Sequence, residues 1–298
     1  MTSTSEPTAA PTMQNRTVLI SGGSRGIGHA IAVRLAEAGA NIVLVAKTDT
    51  PHPTLEGTVH TAVADVEAAG GRGLAVVGDI RSDDDVARAV SAAAEHFGGI
   101  DVLINNASAI DLSPTESLDM KRFDLMQDIN VRGTFAMSKA AIPHLRRSAA
   151  GADGSGQPGW APKILTLSPP LTDAQGRLSS TWFGAHLGYT MSKYGMSMTT
   201  YGLAAELADT GVEVNSLWPV TLIATAAIAN LPGGEQMLQG ARTPQIMADA
   251  AYALISGEAQ LGSGGFLTDE QVLTAAGTTD FSAYAVNPDA ALVPDIFL

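Results

Sequence analysis

The chain alternates between two textures. Runs that are apolar at consecutive positions occur at 17–21 (TVLIS), 41–47 (NIVLVAK), 73–80 (GLAVVGDI), 101–107 (DVLINNA), 163–168 (KILTLS) and 212–219 (VEVNSLWP). Alanine-rich stretches with helical periodicity separate them, at 26–38, 59–69, 83–97, 120–148 and 188–209. A strand that is apolar on both faces must be covered on both faces, and a helix after each strand does that covering. The pattern therefore predicts an α/β fold built on a parallel sheet. Right-handed crossovers make it a doubly wound sheet (Rossmann fold), expected as a single domain over residues 15–298. No internal repeat is present.

Three segments fall outside the alternation. Residues 1–14 are polar, with neither a basic head nor an apolar stretch, and are expected to form a disordered tail rather than a secretory signal. Residues 151–162 (GADGSGQPGWAP) are rich in Gly and Pro and are expected to be an exposed connection. Residues 220–243 follow the sixth strand, are apolar, and contain a Pro-Gly-Gly break. Ligands in such sheets bind beyond the carboxyl ends of the strands, so this segment is read either as a substrate lid or as a plain packed helix.

Composition narrows the function. With 45% hydrophobic and 16% charged residues, the 298-residue chain suits a compact soluble protein. A formal charge of -13 opposes binding to nucleic-acid phosphates. The absence of cysteine excludes disulfides and thiol catalysis, and the six histidines show no metal-binding spacing. No apolar run approaches the roughly 20 residues needed to span a bilayer, so a cytoplasmic enzyme without membrane contact is expected.

The first strand runs into SGGSRGIG (21–28) and then a helix. Gly22, Gly26 and Gly28 let the backbone turn tightly and approach a pyrophosphate, and the helix N-terminus offers free amides and a positive dipole end. At the end of the second strand a cation would accept the 2′-phosphate of NADP, whereas an acid would bind the ribose hydroxyls of NAD. Lys47 stands there and Arg25 lies in the glycine loop, which favours NADP(H). Asp49, about 20 residues beyond the glycines, keeps NAD(H) as second choice.

Tyr189 and Lys193 in YTMSK are four apart, one turn on the same face of a helix. Either they are a proton-transfer pair or Tyr189 packs in the core while Lys193 reaches solvent. An ammonium beside a phenol favours the phenolate and so equips a tyrosine for acid/base work near neutral pH. Met191, Met196 and Met198 are read as packing residues, and His186 as a capped or exposed histidine.

TVLISGGSRGIG, GDI at 78–80, NNAS at 105–108, INVRGT at 129–134 and YTMSK at 189–193 stand in order and spacing. In this the chain resembles the short-chain dehydrogenase/reductase superfamily over roughly 17–270. KILTLSPPL, NSLWP, IMADAAYAL and the terminal PDIFL are similar to the hydroxysteroid dehydrogenase-like group within it, some of whose members carry a sterol-carrier domain and a peroxisomal signal. This chain is expected to have neither.

The resemblance implies roles. Tyr189 is the proton donor/acceptor, Lys193 holds the nicotinamide ribose, Asn130 holds a relay water, Asp79 lies near the adenine and Asn105 lines the cofactor cleft. The implied cofactor set is Gly22, Ser24, Arg25, Gly26, Ile27, Gly28, Lys47, Asp79, Ile80, Asn105, Ala107, Tyr189, Lys193 and Pro219. One departure stands out. Where the superfamily places two serines after its fifth strand, this chain has Ser168 followed by Pro169, which has no donor. Ser168 is carried as the catalytic substitute, with Ser179, Ser180 and Thr181 as alternatives.

The implied function is an NADP(H)-dependent oxidoreductase acting on a carbonyl/alcohol pair of an apolar small-molecule substrate, paired as a homodimer or homotetramer through helices 120–148 and 188–209. A catalytically weak NADP(H)-binding sensor or structural protein, motivated by Pro169, is the alternative. Enoyl or imine reduction on the same scaffold is a third reading.

Overall fold

The computed structural model describes residues 13–51, 56–151, 160–172, 176–178, 180–231 and 233–297. The strands are β1 (Thr17–Ser21), β2 (Asn41–Ala46), β3 (Arg72–Val77), β4 (Val102–Asn105), β5 (Lys163–Thr166), β6 (Glu213–Trp218) and β7 (Phe266–Thr268). They pair in the order β3-β2-β1-β4-β5-β6-β7, and every pairing is parallel. Strand order reverses between β1 and β4. Their neighbouring carboxyl ends therefore open a crevice of the kind in which doubly wound sheets bind ligands.

Six of these strands answer to the six apolar runs. The seventh, β7, has no counterpart among those runs, because three residues after a glycine pair carry too little pattern to register. Alternation along each strand divides the interior into two cores. Val18 and Ile20, Ile42 and Leu44, and Val102 and Ile104 face α1 (Gly26–Glu37), α2 (Val59–Ala68), and the two C-terminal helices that follow β6 and β7. Leu19, Val43, Val45 and Leu103 point the other way, onto α3 (Asp83–Phe97) and the two long helices after β4 and β5. Each such fully buried side chain contributes roughly 1.5–3 kcal/mol of transfer free energy. The sheet is thus covered on both sides, as a continuous apolar strand requires.

The stretch expected as one helix over 120–148 has three parts. These are α4 (Met120–Met126), a π-helical turn over Gln127–Gly133, and α5 (Thr134–Ala149). One widened turn re-aims a buried side chain while the axis continues, which is why such turns gather at functional sites. Asn130 sits inside it. Beyond β5 come α6 (Ser180–Ala185) and the 20-residue α7 (Leu187–Glu206), then α8 (Ala226–Ala229), α9 (Gly234–Gln239), α10 (Gln245–Ser256) and α11 (Asp269–Ala275). Helix α10 is buried at ten of its twelve positions, and small alanines let it lie flat against α1.

Two segments are more ordered than expected. Residues 1–12 lie outside the described residues, but Met13, placed in the tail by its sequence, is fully buried and its amide donates to Ala38 O at 2.9 Å. In the 151–162 connection, 152–159 lie outside the described residues. Trp160 is not a free loop residue, since its Nε1 donates to Ile255 O at 3.0 Å and Arg16 stacks 3.9 Å over its ring. That stack belongs to the amino end of the sheet, where buried Asp101 accepts from Thr17 N at 2.8 Å and Ser148 Oγ at 2.6 Å. These polar groups are structural and lie away from the crevice. Among the described residues no helix is long and apolar enough to cross a membrane, and no cluster of metal-ligating side chains occurs.

Candidate active site

Two adjoining cavities lie at the carboxyl ends of the strands. The larger, about 410 Å³, is walled by the loop after β1, the end of β2, the Gly78–Ile80 turn and the residues after β4. Gly22, Ser24, Arg25, Gly26, Ile27, Lys47, Asp79, Ile80 and Ala107, all assigned from the sequence, line it. The smaller, about 220 Å³, is walled by Tyr189, Lys193, Trp218, Pro219 and a largely apolar surround. Ile27, Asn106, Ser108, Thr225 and Ala227 border both cavities and so mark the junction.

The glycine loop has the shape its residues predict. Gly22 adopts φ +72° and Gly26 φ +60°, a region in which side chains are strained. A Cβ on Gly22 would come within 2.8 Å of Ala107 Cα. Helix α1 begins at Gly26, and no side chain caps it, so its first amides remain available to an anion at the cavity wall. This donor set fits a dinucleotide pyrophosphate. Gly28 lies behind the loop, closely packed on Asn106, and supports the turn rather than lining the cavity.

Asn106 is the residue that sequence reasoning missed here. Its Nδ2 donates to Ser21 O at 3.0 Å and Gly22 O at 2.9 Å, while Ser21 Oγ accepts from the amides of Asn106 and Ala107 at 3.2 Å. The loop after β1 is thereby clamped to the loop after β4. The signal was the second Asn of NNA. The first, Asn105, is buried and donates to Ser138 Oγ at 3.0 Å without lining either cavity.

At the far end of the larger cavity, Lys47 Nζ stands 3.6 Å from Asp79, and Arg81 pairs with the same carboxylate at 2.6 Å. The Arg81 hydrogen bonds, helped by the Lys47 charge, hold the Asp79 carboxyl at about 2 against the effect of its partial burial. Arg25 donates to Gly57 O at 2.8 Å and Glu56 O at 3.1 Å while keeping a face on the cavity. Asp49 does not line the cavity, and it pairs with His60 at 2.6 Å.

Tyr189 and Lys193 lie one turn apart on α7, both buried and both facing the smaller cavity. Lys193 Nζ donates to Leu167 O at 2.6 Å and lies 4.9 Å over the Trp218 ring. Burial pushes the ammonium down to about 7, opposed by Asp295. Burial also raises the Tyr189 phenol well above its ordinary value; Asp295 adds to that rise, and the adjacent Ser108 hydroxyl opposes it. The lowering expected from the Lys193 ammonium is not found, because burial outweighs it, and the phenol keeps its proton at neutral pH.

Asn130 is fully buried. Its Oδ1 accepts from Ala109 N at 2.7 Å, and its Nδ2 donates to Ala109 O at 2.9 Å and Ser192 Oγ at 2.8 Å. The side chain joins the π-helical turn to the β4 loop and to α7, and lines neither cavity.

The serine candidates fare differently. Ser168 Oγ is fully buried, has no hydrogen-bond partner among the described residues, and faces neither cavity. Ser180 and Thr181 are exposed on α6 and line neither, and Ser179 lies outside the described residues. Ser108 is the hydroxyl beside Tyr189. His186 Nδ1 is engaged by Leu112 O at 2.6 Å and does not face the cavity. Met196 packs in the interior, whereas Met191 and Met198 are exposed rather than packed.

The C-terminal segment closes the smaller cavity, a contribution no sequence pattern announced. Phe297 sits among Trp218, Tyr194, Trp182 and Tyr189, with ring centroids 5.6, 5.7, 5.9 and 6.1 Å away. Its φ of +80° is unusual for a bulky residue, and such strain persists only where packing enforces it. The 220–243 segment, expected as a lid or a packed helix, supplies Leu222, Ile223, Ile228, Leu231 and Met237 to the same cavity.

Known proteins resemble this chain in sequence and in fold. A family model described as short chain dehydrogenase matches residues 16–152. Hydroxysteroid dehydrogenase-like protein 2 of Danio rerio is 47% identical over 282 residues, covering 95% of this chain. The chain spans 63% of the length of that relative. A solved short chain dehydrogenase of Mycobacterium thermoresistibile is 46% identical, covers 96% of each chain and superimposes with a TM-score of 0.84. A solved NADH-dependent reductase, A1-R′, complexed with NAD, is 29% identical over 86% of this chain and 95% of that one, with a TM-score of 0.67.

Proposed function

Because the chain belongs to the short-chain dehydrogenase/reductase family, we propose that it is an NADP(H)-dependent oxidoreductase interconverting a carbonyl and an alcohol on an apolar substrate. The observation that carries this reading is the placement of Tyr189 and Lys193 on one face of α7, in an apolar cavity that shares walls with the glycine-loop cleft. When bound, the nicotinamide supplies the hydride chemistry. The chain's own residues orient the reactants and move the proton.

Gly22, Gly26 and the α1 N-terminus receive the pyrophosphate, with Ser24 and Ile27 beside them. Lys47 and Arg25 receive the 2′-phosphate, while Asp49 is turned away to His60. Tyr189 gives its phenolic proton to the carbonyl oxygen in reduction and takes the alcohol proton in oxidation. Lys193, anchored by Leu167 O and facing the same cavity, would hold the nicotinamide ribose. Asn130 holds the β4 loop against α7, and Ser108 provides the hydroxyl that Pro169 lacks. Phe135 on α5 and Met198 and Tyr201 on α7, 56%, 64% and 65% exposed, form the face through which two copies pair.

The test is NADPH consumption with a panel of aldehydes and ketones, together with NADP⁺ reduction by alcohols. Tyr189→Phe should lower kcat by at least about 100-fold while NADPH still binds. Tight NADPH binding with no Tyr189-dependent turnover across the panel would point instead to a sensor. Lys47→Glu should weaken NADPH by about tenfold or more and leave NADH nearly unchanged. An unaltered preference refutes the cofactor assignment.

A further inference from the structure

The smaller cavity is almost wholly apolar, with Ile110, Leu112, Leu222, Ile228, Leu231 and Ile296 among its walls. One carboxyl group breaks that surface. Asp295 lines the cavity and is only 8% exposed, and its Oδ1 has no hydrogen-bond partner among the described residues. The chain has not placed it there loosely. Asp295 N donates to Val220 O at 3.0 Å, and Leu222 N donates to Val293 O at 2.9 Å. Trp218 Nε1 also holds Ile296 O at 2.9 Å. The backbone on both sides of the aspartate is stitched to the strand end and loop that follow β6.

A buried carboxyl oxygen without a partner costs roughly 1–3 kcal/mol, more if charged. A fold that anchors such a group beside its acid/base pair leaves it for something that enters the cavity. We propose that Asp295 is a substrate-binding residue that accepts a hydrogen bond from a second polar group, a neutral hydroxyl, on the otherwise apolar substrate. This rests on the reading of the smaller cavity as the substrate site.

A hydroxyl fits better than an ammonium for two reasons. Burial drives the Asp295 carboxyl well above its ordinary range, and neighbouring Asp269 adds to the rise, against the pull of Trp218 and Lys193. A hydroxyl pairs with the acid or with the carboxylate, since it both donates and accepts, whereas an ammonium needs the carboxylate. A cationic ligand would also meet the nearby Lys193 in a poorly screened site.

Three ligands separate these cases: 2-decanol, 2,4-decanediol and 4-amino-2-decanol. Their binding is measured by calorimetry on the full chain, with and without saturating NADPH, so that no turnover is needed. The diol should bind at least about tenfold more tightly than 2-decanol, a difference of about 1.4 kcal/mol. Asp295→Leu should bring the two within about twofold. Asp295→Asn, which preserves shape and an acceptor, should retain part of the preference and serves if the leucine variant fails to fold.

The inference is overturned by an equal affinity for diol and monool, by a diol preference that survives both variants, by tightest binding of the amine, or by no binding of any ligand. A diol preference without NADP⁺-dependent oxidation would refute the proposed reaction and leave this assignment standing. Normal turnover of 2-decanol with no diol preference would do the reverse.

Discussion

Asn130 donates to the Ser192 hydroxyl across 2.8 Å, and this bond fastens the π-helical turn to the helix that carries Tyr189 and Lys193. The same side chain closes two bonds with the backbone of Ala109. Removing it leaves the Ala109 amide without its partner and takes one bond from Ser192 Oγ, which keeps its bond to Tyr189 O at 2.8 Å, so Asn130→Ala should cost roughly 1–3 kcal/mol of stability, read from urea denaturation. Because the side chain positions others and lines neither cavity, kcat should fall while the dissociation constant of NADPH stays within about threefold.

Ser108 and Ser168 make opposite predictions. Ser108→Ala removes the hydroxyl beside the phenol and should lower kcat/KM by about 10–100-fold, with Ser108→Thr recovering part of it. Ser168→Ala deletes a buried oxygen that has no partner among the described residues, and should leave activity within about twofold and stability unchanged or slightly raised. Steady-state kinetics on the two variants decides between them. Loss of activity in Ser168→Ala alone would restore the serine after β5 to the catalytic role.

Asp269 gives a pH signature. It accepts from Val220 N at 3.0 Å and Glu270 N at 2.8 Å, yet burial raises its carboxyl to about 6. The folded state then binds this proton more readily than the unfolded chain. The cost of the buried charge is full above about pH 6 and is relieved as the pH falls toward 3.8. Stability of the parent relative to Asp269→Asn should therefore increase on going from pH 7 to pH 4, by up to about 3 kcal/mol. Urea melts at three pH values test the sign, and a parent that loses stability relative to Asp269→Asn on acidification contradicts it.

Phe135, Met198 and Tyr201 expose apolar surface on α5 and α7, the two helices expected to pair. Replacing Met198 and Tyr201 together by Glu should convert an oligomer to monomers, as measured by light scattering after gel filtration. Charge placed at the centre of an apolar interface is not repaid by any partner there. An unchanged mass in the double variant moves the interface elsewhere.

Much of the scaffold was written locally. Six strands and the first three helices follow from continuous apolar runs and a period of 3.6, because a strand buried on both faces is apolar throughout and a helix records which face it covers. The glycine loop was legible for a similar reason, since a left-handed turn against a helix N-terminus demands glycine at Gly22 and Gly26 whatever the rest of the chain does. Tyr189 and Lys193 could be placed on one helical face from their spacing alone.

What the sequence could not decide was set by distance along the chain. Asn106 acts on Ser21 and Gly22 from more than eighty residues away, and Ser108 reaches Tyr189 from a different strand end. Asp295 and Phe297 enter the cavity only because the last segment folds back onto the loop after β6. Local periodicity reports burial but not what a buried group is buried against. The identity of the cavity carboxyl whose Oδ1 is left without a partner among the described residues, and of the hydroxyl beside the phenol, belongs to the tertiary structure.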